Sequence, residues 1–112
     1  FNMIPNKFPD DFEYVKEMYD DAYFPNFLVD KIKEIIQEVV TFLESGTHSM
    51  TQIQDAFDVM TLKINAMQNE FDEHDSELET VARESIADTV DQILTHFDID
   101  LDIEEAIRVR EW

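Results

Sequence analysis

Cysteine is absent from the 112 residues, which removes disulfides, thiolate nucleophiles and cysteine-based zinc sites together. Glycine occurs once and proline three times. Hairpins and sandwiches therefore lack their usual turn material, and the glycine-rich loops that cradle phosphate are excluded. No run approaches the roughly 20 uncharged apolar residues of a membrane span, and the start lacks the basic-then-apolar pattern of a secretion signal. A soluble, cytoplasmic protein is expected. Basic residues are also scarce: 8 Lys and Arg stand against 27 Asp and Glu, a formal net charge of -19, with a pI near 4.1. Such a surface repels phosphates, so neither nucleic acid nor an anionic membrane is an expected partner, and a basic protein is the natural counterpart. Solubility alone would account for the same charge.

What the chain does have is greasy residues. Hydrophobic side chains make up 44% of it, nine of them Phe, far too many for the disordered class. At this length one domain with one core is expected. Residues 1–9 carry Pro5 and Pro9 and show no periodicity, so they read as an extended arm, with Phe1 and Asn2 before Met3 as a cloning remnant. The single helical domain is expected over residues 10–112.

Within it, Asp10 reads as the N-cap of a short first helix running to Tyr19, with Phe12, Val15, Met18 and Tyr19 as its apolar stripe. Pro25 suits the first position of a long second helix, whose Leu28, Ile32, Ile35, Ile36, Val39 and Leu43 recur at steps of three and four. Gly46, the one glycine, falls where a left-handed residue closes a helix. Ser49 and Gln52 have the spacing of a capping box opening a third helix through Ile53, Phe57, Met60, Ile64, Met67 and Phe71. Val59, Leu62 and Ala66 lie on its other side, so that helix is apolar on two faces. Ser76 and Glu79 repeat the capping-box spacing before a fourth helix with Leu78, Ala82, Ile86, Val90, Ile93 and Phe97 inward. Its far side gathers Glu77, Glu84, Asp88 and Asp91. Asp102 and Glu105 cap a short last helix carrying Ile103, Ala106 and Ile107 before Trp112. The expected fold is all-α: an antiparallel bundle of three long helices flanked by two short ones.

Chemistry is harder to find. Asp98, Asp100 and Asp102 alternate as in an EF-hand loop, but Ile103 and Val109 stand where that loop needs Gly and Glu, so an acidic loop before a capped helix is the better reading. No Glu-x-x-His occurs to build a di-iron bundle. His48 and His74 fall in expected loops and His96 at the end of the fourth helix, where an imidazole meets free carbonyls. His48 adjoins Ser49, but Ser49 already serves as a cap, and no nucleophile elbow is present. No catalytic, cofactor-binding or metal-binding residue is assigned, and no cofactor or enzymatic activity is expected. Tyr19, Tyr23, Phe24 and Phe27 around Pro25 read as a packed corner between the first two helices, with a binding surface as the alternative.

The stretch Tyr23-Phe24-Pro25-Asn26-Phe27-Leu28-Val29-Asp30-Lys31-Ile32-Lys33, the stretch from Glu70-Phe71 through Ser76-Glu77-Leu78-Glu79-Thr80-Val81-Ala82-Arg83-Glu84, and the closing Arg110-Glu111-Trp112 resemble a small bacterial family of unknown function. The resemblance runs from about Val15 to Trp112. It implies one helical domain in bacteria and carries over no catalytic or binding residues.

Charge and the acidic face of the fourth helix make the leading expectation a noncatalytic module that neutralises or scaffolds a basic partner, in the manner of immunity proteins and antitoxins against basic toxins. A second expectation is a homodimer through Val59, Leu62 and Ala66. A third is a small metal-assisted hydrolase using loop acids.

Overall fold

A computed structural model describes residues 7–112 as helices and links, with no strand among them. Six helices follow one another: α1 (Lys16–Tyr19), α2 (Asn26–Glu44), α3 (Met50–Ala66), α4 (Gln68–Glu73), α5 (Thr80–His96) and α6 (Ile103–Ala106). Three are long and three are a turn or two. The expected residues 1–9 arm lies outside the described residues as far as residue 6. Beyond it Phe8 is buried, against Phe12, Tyr14, His96 and Phe97. Its backbone N–H donates to Glu44 Oε2 at 2.8 Å.

The steps of three and four place their residues as the pattern requires. On α2, Leu28, Ile32, Ile36, Val39 and Leu43 are buried, on α3 Ile53, Phe57, Met60 and Ile64, and on α5 Ala82, Ile86, Val90 and Ile93. Each fully buried side chain of Val, Ile, Leu or Phe size contributes about 1.5–3 kcal/mol. All belong to one core that also takes in Val15, Met18, Phe24, Phe71, Ile107 and Trp112. Helix α2 packs on α3, while α5 is joined chiefly to α1 and α6.

Several local expectations are corrected. Asp10 caps nothing: residues 10–15 turn without forming a helix, and α1 is a single turn entered through Val15 at φ 43°, ψ 47°. A β-branched residue pays steric strain there, and burial plus a bond from its N–H to Thr89 Oγ1, 3.0 Å away on α5, holds it. The expected third helix is interrupted at Met67, whose N–H reaches Ile64 in a tightened turn, so α4 becomes a third short helix.

Ser76 is not an N-cap. It is the residue two past the cap of α4, where its N–H bonds Phe71 O at 2.9 Å while that of Asp75 bonds Asp72 O at 3.1 Å. With Asp75 at φ 57° this is a Schellman closure, and α5 starts only at Thr80. Helix α5 ends the same way: Ile99 N–H to Leu94 O, Asp98 N–H to Thr95 O, and Asp98 at φ 54°. Gly46 does follow the cap of α2, but its φ of 151° lies outside the left-handed helical well. The left-handed closures thus belong to two aspartates, residues that tolerate that region better than most.

Pro25, expected as the first residue of the second helix, is instead the N-cap of α2, while two other caps form as read. Ser49 and Gln52 exchange both bonds of the capping box, at 3.0 and 3.1 Å. Asp102 caps α6 by accepting from Glu104 N–H at 3.0 Å.

Candidate interaction surfaces

Because α5 buries Ala82, Ile86, Val90 and Ile93, its far side must carry Glu84, Asp88 and Asp91, and all three are exposed. Among the described residues no Lys or Arg forms an ion pair with them. Glu77, expected on the same face, precedes the helix and borders a separate depression with Gln68, Asn69 and Asp72. In its place the structure brings Glu17 of α1. It accepts from Ser85 Oγ at 2.8 Å and, with Val81, Glu84 and Asp88, lines a cleft of about 360 Å³. Only the packing of α1 on α5 makes Glu17 part of this surface, so spacing along one helix could not have shown it.

Val59 and Leu62, expected on the second apolar face of α3, are 51% and 54% exposed, and Ala66 is exposed beside them. Between α2 and α3 runs an open groove of about 390 Å³ floored by Ile35, Val39, Phe42, Ala56, Val59 and Met60. Glu38, Gln52 and Asp55 border it, and Lys63 pairs with Glu38 at 2.7 Å. His48 stacks on Phe42 with ring centroids 3.8 Å apart and holds its place through a 2.8 Å contact from Nε2 to Phe42 O. Sequence reading had placed Ile35 in the core; it is only half buried, because it forms a wall of this groove.

The aromatic corner divides. Phe24 is buried and meets Phe71 edge-on, whereas Tyr23 and Phe27 are 42% and 49% exposed, Phe27 against His74. Among the described residues no three His, Asp or Glu side chains gather as metal ligands would. The Asp102 carboxylate is occupied in capping α6, while Asp98 closes α5 through its backbone N–H. His96 donates from Nε2 to Lys7 O, 2.8 Å away. No described helix is long and apolar enough to cross a membrane.

The titratable groups that depart from ordinary behaviour serve structure. The Arg108 guanidinium, at 2.8 and 3.2 Å, holds the Asp58 carboxyl below its usual range, with Gln54 adding a third bond. Burial raises the Tyr19 phenol, and the Asp30 carboxylate that it donates to at 2.5 Å raises it further.

Fold and surface together define a small, strongly acidic, all-helical domain. The chain belongs to DUF5713, a family of unknown function, whose model matches residues 8–112. The match begins before Val15, where the sequence resemblance was expected to start, and takes in the buried Phe8. No curated protein and no solved structure matches the chain.

Proposed function

We propose that this is a noncatalytic protein-binding module that neutralises or scaffolds a basic partner. The observation that supports it best is the surface of Glu17, Glu84, Asp88 and Asp91, exposed carboxylates with no ion-pair partner among the described residues, on a chain of net charge -19. A field of one sign speeds the encounter with a basic protein and discriminates against acidic ones. A partner of the immunity or antitoxin kind, a basic toxin-like protein, fits that logic, and the reading places the complex in the cytoplasm. The test is co-purification at low salt followed by a binding titration. A basic partner should weaken steeply as sodium chloride rises and be lost to the E84Q/D88Q/D91Q variant; affinity indifferent to ionic strength would end the proposal.

A second reading, self-association through Val59, Leu62 and Ala66, draws on their exposure. Sedimentation showing a monomer at high concentration would remove it. We also infer that α2, α3 and α5 alternate in direction as an antiparallel bundle; the short link at 45–49 favours this for α2 and α3, and α5 follows after α4.

A further inference from the structure

We infer that the groove between α2 and α3 docks one amphipathic helix of a basic partner, its apolar side on Val39, Phe42, Ala56 and Val59 and its Lys or Arg side chains reaching the acidic rim. The inference rests on the reading above that the partner is basic, and adds where and in what form it binds. Shape supports a helix. The groove is open, and along α3 its lining runs from Gln52 to Met60, a span of about 12 Å at the helical rise. That is some two turns of a ligand helix. An amphipathic helix laid in an apolar groove anchors through residues three and four apart, which suits pockets opening between two helices.

Charge chooses among helices. Glu38 of α2 and Asp55 of α3 both line the groove, and Glu34 stands one turn before Glu38 on α2. Lys63 pairs with Glu38, and Arg108 lies within electrostatic reach of Asp55. A second copy of this chain would bring the same rim and another formal charge of -19 against it, whereas a helix with basic flanks meets a chain of opposite net charge. The wall is also preorganised, since His48 pins the Phe42 ring from behind, which limits the ordering cost of binding.

The experiment uses two fluorescent peptides of identical Leu and Lys content, about 18 residues long. One has all Leu on one helical face; in the other the order is shuffled to destroy that face. Anisotropy titrations with the full chain should show the amphipathic peptide binding at least about 10-fold more tightly. V59E and A56E should each weaken it about 10-fold or more. Both variants add a negative charge, so electrostatics alone would tighten binding, and a loss isolates the apolar contact. Val59 is half exposed, so the V59E fold should persist, with A56E as an independent second probe. E84Q/D88Q/D91Q should keep the preference between peptides. Equal binding of both peptides, or tightening by V59E, overturns the groove while leaving the basic-partner reading in place. Failure of the amphipathic peptide to bind overturns the groove as well. A dimer of the protein alone that V59E dissociates would assign the groove to a second copy and overturn it too. Amphipathic binding that ignores salt would instead sink the basic-partner reading.

Discussion

Replacing Thr89 by Val should cost this protein a measurable part of its stability although the two side chains have nearly the same shape. Thr89 Oγ1 accepts the backbone N–H of Val15 at 3.0 Å, and both residues are buried. In T89V the hydroxyl becomes a methyl, no water can take its place, and the Val15 N–H is left without an acceptor. An orphaned buried donor costs about 1–3 kcal/mol. Because Val15 sits in a strained left-handed conformation, the same bond also holds the entry to α1 in place. For a domain of this size about 1 kcal/mol shifts the midpoint by about 4 °C, so T89V should melt roughly 4–12 °C lower. T89S keeps the acceptor and loses one methyl, at about 0.8–1.5 kcal/mol. Thermal melts of the three proteins by circular dichroism decide the matter. A T89V protein as stable as the parent would show that this bond does not hold α1 to α5.

Other expectations follow from the same geometry. Asp58 has a folded pKa below its ordinary 3.8, so its contribution is complete above that value and is lost as pH falls through the lower folded one. D58N should therefore cost about 1 kcal/mol at neutral pH, with a gap to the parent that closes on acidification in urea titrations; a gap independent of pH would refute the pairing. A Cβ on Gly46 meets nothing within 4 Å, so G46A isolates backbone strain at φ 151° and should lose about 1–2 kcal/mol; parity with the parent would mean the turn relaxes. D75G and D98G should be neutral to stabilising by up to about 1 kcal/mol, since both positions are left-handed, and a clear loss in either would assign the carboxylate a further task. Finally, raising sodium chloride from about 20 to about 200 mM should raise the melting temperature by screening the excess of like charge; a fall would mean that the ion pairs outweigh it.

The long helices and most of their buried positions were legible because helical periodicity is a local signal. Every one of the core positions expected on α3 is buried. Where the reading missed, the deciding partner lay far along the chain or the local signal had two meanings. Ser76 and Glu79 have the same spacing as Ser49 and Gln52, yet the first pair loses to the Schellman closure of α4, which claims Ser76 as its own last donor. Nothing near Val15 announces a left-handed residue; Thr89, 74 positions on, sets it. Glu17 joins the acidic surface for the same reason, through the packing of α1 on α5. Val59, Leu62 and Ala66 were visible as a second apolar face, but the groove needs α2 as its other wall, and only the packed pair creates it.

The burial of Phe8 and Val15 against residues 89–97 also bears on the order in which the chain can assemble. Phe8 and Val15 leave a ribosome well before these partners do, because Thr89 follows Val15 by 74 positions. Until then α2 and α3 can pair with each other, and the segment before them has its contacts with α2, such as Phe8 N–H to Glu44, but not those with α5. A nascent chain arrested before α5 is therefore expected to stay open to proteases at its leading end, and protection there, measured on stalled complexes, should appear only when synthesis has passed His96.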